Sequence, residues 1–510
     1  MRRRSSVLSS LAIAACAIAP AGAAPASKGP ASDGPSIVYE VNVVDVINGS
    51  VLPSSVVVRG GLIDEVRSGW PRTGFPRDES VVDARRKFLI PGLWDMHAHV
   101  RDPERELPLL VANGVLGIRD MGGEPGAIFR LRQRVTSGEL LGPRIVACGP
   151  IVDGPEPSNP PISIPVHDAA GARQVVRSLK EMGADCVKVH DRVSREAYLA
   201  LAEEARKVGL PLVGHVPVRV RTMEATSAGQ RSIEHQIGLR GMSTAENEVM
   251  QSEKRFDSVA EAMRTGDFTI IPEMIAKRGV RLLDTVDAGR ADALYRAFAK
   301  HGTCLVPTLV TLEALAFVDD HSQVKDDRMR YIPDAERQYW RPEKGLLTRY
   351  RTPAYIAYRK REFGWTLKQI PVAQKAGVTF LAGTDMSLPY VYPGFSVHDE
   401  MALFVQAGLT PADALRTATL NPVRFLGLDD TTGSIQKGRA ADFVILDADP
   451  LRDIAATKAI YAVVVKGKLL RRDDLDRMLR AAELAAGAGA PASVAPAGPG
   501  ATQRPGLTAR

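Results

Sequence analysis

Four of the nine histidines in this 510-residue chain stand at the ends of short apolar runs. They are His97 and His99 in PGLWDMHAH, His215 in LVGH and His235 in SIEH. Histidines scattered through a core or a surface would not select that position. Residues two apart on a strand share a face, so the imidazoles of His97 and His99 point the same way. Two neutral imidazoles at that spacing can bind one divalent metal. A lone H-x-H is more simply two hydrogen-bonded strand histidines. Here it is joined by His215, His235 and Asp385 of GTD, giving five ligand-type side chains at run ends. Convergence from several strand ends onto one mouth is what a metal site requires.

Lys188, in GADCVKVH, closes another apolar run and places an amine in the same mouth. A lysine buried there is costly unless it is paired or neutralised. One reading is a lysine that salt-bridges Asp191 or another rim carboxylate. The other is a lysine carbamylated by carbon dioxide, which turns the amine into a carboxylate that bridges two cations. Desolvation favours the second by lowering the lysine pKa and freeing the nucleophilic amine. His190 lies two residues on and faces the same way, either to contact a substrate carbonyl or as a packed rim histidine. Asp120 follows Arg119 at the end of a further run, where a structural ion pair is expected rather than catalysis. His398, Glu400 and Asp95 read either as groups that orient ligands or as ordinary polar residues of a helix start and a strand.

Such a site must be held by strands. Apolar runs bounded by turn residues cover Leu89–Met96, Val115–Arg119, Arg144–Cys148, Cys186–His190, Leu212–His215, Ser232–His235, Cys304–Leu309 and Val378–Ala382. Amphipathic stretches separate several of them, and those at 169–182 and 195–208 end at glycine, as helices do. Eight strands alternating with helices predict a parallel sheet, and eight is the number that closes a (β/α)8 TIM barrel. A doubly wound open sheet would want a Gly-rich phosphate loop after its first strand, and there is none. Residues 36–88 and 431–472 instead alternate apolar and polar residues between Gly and Pro turns, predicting short antiparallel strands. The expected architecture is α/β: a barrel over 89–430 with a small β-sandwich domain built from the N- and C-terminal segments. A charged, aromatic insertion at about 311–365, with Tyr331, Trp340, Tyr350 and Tyr355, is expected over the rim, where loops shape pockets.

Composition bounds the rest. With 45% hydrophobic, 25% charged and 5% aromatic residues, disorder, collagen and coiled coil are excluded for the chain as a whole. The net charge is +7, or +4 without Arg2, Arg3 and Arg4, and the body holds no dense Lys/Arg tract, so no nucleic-acid partner is expected. Residues 1–24 run from a basic start through an apolar stretch to Ala21-Gly22-Ala23, the order of a secretory signal peptide. Periplasmic or secreted localisation is therefore expected; the alternative is a lipoprotein anchored to a membrane through Cys16. The arginine run also has a loose likeness to a twin-arginine signal. Residues 25–35 read as a linker, and 473–510 as a C-terminal helix followed by a disordered Ala/Gly/Pro tail. Cys148, Cys186 and Cys304 each lie in an apolar run and are expected as buried free thiols.

The order H-x-H, Lys, His, His, Asp on strands one, four, five, six and eight resembles the metal-dependent amidohydrolase superfamily. So does the run NPVRFLGLDDTTGSIQKGRAADFVILDADP. VANGVLGIRDMGG and HDEMALFVQAGLTPADAL resemble its imidazolonepropionase-related branch, which includes binuclear dipeptidases and amidases that hydrolyse ochratoxin. The resemblance covers about residues 36–470. It implies a barrel with a β-sandwich, and two divalent metal ions, expected to be zinc. His97, His99 and Asp385 would hold one ion and His215 and His235 the other, with carbamylated Lys188 bridging. Imidazolonepropionase itself holds one metal and lacks that lysine, so Lys188 argues against that activity. Asp385 would be the catalytic proton carrier, with His190 the candidate substrate contact. The implied partner is a small-molecule amide, a dipeptide or N-acyl amino acid. The alternatives are a hydrolase of cyclic amides, lactones or other esters on the same metals, and, more remotely, a non-catalytic metal-binding barrel.

Overall fold

Alternating apolar residues build the first four strands: β1 (Ser36–Asp45), β2 (Ser50–Arg59), β3 (Leu62–Ser68) and β4 (Glu79–Pro91). The computed structural model describes residues 36–70, 79–124, 126–255, 257–321, 325–341, 351–386 and 388–488. The expected signal peptide with Cys16, the linker, Tyr350 and the Ala/Gly/Pro tail beyond 488 lie outside the described residues. No helix among the described residues is long and apolar enough to cross a membrane.

Parallel strands follow, separated by helices: β5 (Leu93–Ala98), β6 (Val115–Asp120), β7 (Arg144–Ala147), β8 (Ile151–Asp153), β9 (Ser163–Pro165), β10 (Val187–Val189), β11 (Leu212–Gly214), β12 (Ser232–Glu234) and β13 (Cys304–Val306). They form two parallel sheets, ordered β5-β6-β7 and β13-β12-β11-β10-β8-β9. The expected strand at 378–382 appears as one parallel bridge, Leu305 to Phe380, extended by hydrogen bonds from Leu305 N to Thr379 O and from Leu381 N to Leu305 O. The expected single run Leu89–Met96 is divided at Gly92. Its first residues belong to β4, and a Cβ at Gly92 would come within 2.7 Å of Leu116.

The last strands are β14 (Phe443–Leu446), β15 (Ile460–Val465) and β16 (Lys468–Arg471). They join the N-terminal strands in one seven-stranded sheet, β16-β15-β14-β4-β1-β2-β3. The start of its edge strand β3 meets the segment leading into β14, where Ile63 N bonds Arg439 O and Ala441 N bonds Gly61 O. One apolar cluster of its own draws on β1, β2, β3, β4, β14 and β15, and in it the Tyr39 and Phe443 rings meet edge to face at 5.3 Å.

Strand alternation sorts the interior of the α/β part. On β10, Val187 and Val189 face the main core, which they share with Val176, Leu201 and Phe404 of surrounding helices. Cys186, on the opposite face, joins a separate cluster with Met121, Cys148 and Val213. There the expectation of three free thiols fails: Cys148 and Cys186 form a disulfide, and among the described residues Cys304 alone is free, and it is buried. The reason is adjacency. Residue 148 follows β7 and residue 186 precedes β10, and their Cα atoms lie 4.5 Å apart. In the segment expected as a rim insertion, Tyr331, Trp340 and Tyr355 are buried, and Trp340 packs on Tyr390 and Tyr392 in the loop that follows Asp385.

Candidate metal centre

Parallel strands point their C-terminal ends the same way, and those ends carry the site residues. His97 ends β5, Lys188 lies in β10, His215 follows β11 and His235 follows β12. The imidazoles form a continuous row. Ring centroids are 5.3 Å apart for His99 and His97, 4.5 Å for His97 and His235, 4.9 Å for His235 and His215, and 4.2 Å for His215 and His190. Asp385 faces three of them: Oδ1 is 3.5 Å from His97 Nε2 and 3.4 Å from His99 Nε2, and Oδ2 is 3.8 Å from His235 Nδ1.

Each ring is fixed from behind. His97 Nδ1 donates to Glu234 Oε2 at 3.0 Å, His99 Nδ1 to the Gly122 carbonyl at 2.7 Å and His215 Nδ1 to Asp191 Oδ1 at 2.9 Å. A carbonyl or ionised carboxylate only accepts, so the proton sits on Nδ1 and Nε2 keeps its lone pair. His235 Nδ1 is 2.9 Å from Thr308 Oγ1. Neutral imidazoles with the second nitrogen on an oxygen acceptor are what a metal ligand needs. Burial favours the same state. It pushes His97 and His215 down to about 4, and His235 well below the usual histidine range. Burial alone would raise the Asp385 carboxyl, but His97 and His235 outweigh it and hold the group well below the usual range.

Lys188 is 1% exposed and makes no hydrogen bond or ion pair among the described residues. Asp191, its expected salt-bridge partner, accepts from His215 instead. Burial lowers the Lys188 amine to about 8, partly offset by Glu234 and Asp385. The backbone is packed tightly at this point. Gly214 has φ +120°, and a Cβ there would meet the Val189 carbonyl at 2.3 Å and Lys188 Cδ at 2.9 Å.

Three site residues other than glycine have left-handed backbone: His235 at φ 62°, Asp385 at 59° and Thr308 at 48°. For a β-branched threonine that conformation is strained, and such strain persists only where the surroundings over-determine it. Glu400 supplies part of that determination, accepting the Leu309 and Val310 N–H groups immediately after Thr308. Asp95 likewise accepts from His97 N, Thr384 N and Thr384 Oγ1, tying β5 to the segment that carries Asp385. His398 is a packing residue, bonded to Thr457 Oγ1 and the Asn113 carbonyl. The ion pair expected between Arg119 and Asp120 does not form, because neighbouring strand residues face opposite ways. Arg119 pairs with Glu234, and Asp120 accepts from Val100 N and Gly122 N.

The donor atoms cluster in two groups able to hold a cation: His97, His235 and Asp385, and His190, Asp191 and His215. His235 falls within the first group and also neighbours His215, its ring centroid 4.9 Å from that of His215. His190 and Asp191 stand with His215, and His190 Nδ1 lies 3.3 Å from the buried Asp153 carboxylate. The sequence reading did not single out Glu234 or Asp153. Both close strands, as the histidines do, but a carboxylate in SIEH or IVD has no spacing partner to mark it.

Against known proteins, residues 88–470 match the model of the amidohydrolase family. Ochratoxinase from Aspergillus niger is 36% identical over 110 residues, 21% of this chain and 22% of that protein. The chain spans 13% to 22% of the length of the first curated relatives it matches. Among solved structures, bottromycin amidohydrolase superposes with a TM-score of 0.69 at 25% identity, covering 88% of this chain and 89% of that one. A Xaa-Pro dipeptidase with methionine bound in its active site superposes with a TM-score of 0.61 at 20% identity, covering 86% and 100%.

Proposed function

Since the chain belongs to the amidohydrolase family, a family of hydrolases acting on C–N bonds, we propose that it is an exported binuclear enzyme that cleaves the amide bond of a dipeptide or N-acyl amino acid. The observation that carries the reading is the row of histidines whose Nδ1 atoms rest on oxygen atoms, with Nε2 of His97 and of His99 directed toward Asp385. The donor set, imidazoles with a carboxylate and a desolvated amine, suits zinc. His97, His99 and Asp385 would hold one ion, His215 and His235 the second, and carbamylated Lys188 would join them. Bound there, two dications supply acidity to a water molecule and polarise the scissile carbonyl. Asp385 then does the proton work. It takes a proton from the attacking water as the C–O bond forms, and returns it to the amide nitrogen as the C–N bond breaks. His190, beside His215, is the proposed contact for the substrate carbonyl.

The proposed scaffold is a closed (β/α)8 barrel. Hydrogen bonds from Met96 N to Ala382 O and from Asp385 N to His97 O support it, joining the eighth strand segment to the first. The seven-stranded sheet with its own apolar cluster is taken as the β-sandwich. Export is supported by the order of residues 1–24 and by the Cys148–Cys186 disulfide, a bond that persists in oxidising compartments. The names of the similar proteins, an amidohydrolase and a dipeptidase, favour amides over esters.

The test is a screen of the purified, zinc-loaded protein against dipeptides and N-acyl amino acids, with lactones and acyl esters as a parallel panel. Turnover of an amide that is lost on chelation and restored by zinc is expected. Turnover confined to the ester and lactone panel would overturn the amide assignment. Elemental analysis of the active preparation should give close to two divalent ions per chain; full activity with one would overturn the binuclear reading.

A further inference from the structure

Beneath the row of histidines lies a buried ion pair to which the proposed reaction assigns no role. Arg119 and Glu234 are 0% and 1% exposed, and they come from β6 and β12. Each of the three guanidinium nitrogens of Arg119 donates inside the protein. Nε bonds the Met96 carbonyl at 2.8 Å, Nη1 bonds Ser232 Oγ at 3.0 Å, and Nη2 reaches both Glu234 oxygens at 3.0 and 3.1 Å. Ser232 Oγ also donates to Glu234 Oε1. The guanidinium rests over the Phe425 ring at 5.1 Å, which closes its remaining face. Glu234 Oε2 then receives the His97 Nδ1 proton at 3.0 Å. The network thus links the strand of His97, the strand of Arg119 and the strand that leads into His235.

We propose that Arg119 and Glu234 are positioning residues that lock His97 in the Nδ1–H tautomer and so set the metal affinity of the site. This rests on the metal-centre reading above, not on the choice of substrate. A buried carboxylate with three donors on Arg119 and Ser232 has only acceptor capacity left for His97. A glutamine would not. Its carbonyl oxygen would stay on the Arg119 fork, since a guanidinium cannot accept. Its NH2 would then face His97 Nδ1, which would have to accept. The proton would move to Nε2, the atom that faces Asp385, and the lone pair there would be lost. A buried ion pair of purely structural value would leave the histidine tautomer free to follow the metal.

The experiment uses Glu234→Gln in the full chain, with zinc and cobalt affinity read by competition with a chelator of known strength. The metal-free melting temperature is measured alongside. About 10- to 100-fold weaker binding of at least one ion is expected in the folded variant, together with a lower metal-free melting temperature, because Arg119 loses its buried counter-charge. Unchanged affinity for both ions would overturn the proposal. Because Glu234→Gln could fail to fold, the unchanged metal-free protein carrying 15N-histidine supplies a second reading. Its one-bond and long-range nitrogen–proton correlations should show His97 protonated at Nδ1 and not at Nε2. The Nε2–H tautomer would overturn the proposal. Neither readout needs turnover, so a protein that cleaves no amide yet gives both results loses only the proposed substrate.

Discussion

Lys188 is the side chain whose replacement separates a bridged pair of metals from a single one. Arginine keeps the positive charge but cannot carry carbon dioxide in the same way. Lys188→Arg should therefore lose metal as well as turnover, measured together by elemental analysis and rate. Near-normal metal content and turnover would leave Lys188 as a simple cation. The pH dependence has a definite sign. Carbamylation needs the neutral amine, whose fraction rises as pH passes through about 8. Metal uptake by metal-free protein in bicarbonate should thus improve from pH 7 to 9, and uptake that falls over that range would contradict it. His97, His99, His215 and His235 were legible in the sequence because histidine is rare and their place, at the end of an apolar run, is not random; Asp385 was legible by its place alone. Glu234 and Arg119 were not legible. Acidic and basic residues are common, and only the three-dimensional crossing between β6 and β12 makes these two a pair.

Strands followed the same division. Apolar runs marked most of the parallel strands, since both faces are buried and the run needs no alternation to be seen. Their partners were less visible. The expected third strand breaks after Ala147, resumes at Ile151 and meets β10 only at Val152 and Val189. Across the break, Asp185 N bonds Ala147 O and the Asp185 carboxylate accepts from Ala147 N. The Cys148–Cys186 bond staples this seam. It could not be read from two cysteines 38 residues apart, because their adjacency depends on which strands are neighbours. Closing a loop of that length is worth about 4 kcal/mol by chain-entropy reasoning. The paired substitution Cys148→Ala with Cys186→Ala should lower the melting temperature. Reductant should lower that of the unchanged protein and leave the double variant unmoved. Equal melting of the two proteins without reductant would show that the bond adds no stability.

Over the whole chain, the two ends depend on each other. β14 pairs with β4 through Phe443–Pro91 to Leu446–Phe88, and β15 and β16 extend the sheet outward from there. A chain ending at residue 432 would leave the β4 edge open and strip Phe443, Ile445 and Val464 from the apolar cluster. An open apolar edge is a template for aggregation. Such a truncation should be recovered as insoluble material, as assayed by fractionation after expression; a soluble, metal-binding product would show that the α/β part stands alone. The same pairing has a consequence in time. During synthesis β4 emerges early, while β14 lies about 350 residues later, a wait of roughly 20–70 s at 5–20 residues per second. Throughout that interval β4 has β1 on one side but nothing on the other, and the sheet cannot be completed until β14, β15 and β16 have left the ribosome. A chain built this way stays open to capture by holding factors over that whole interval, and its last cooperative step waits for the late strands.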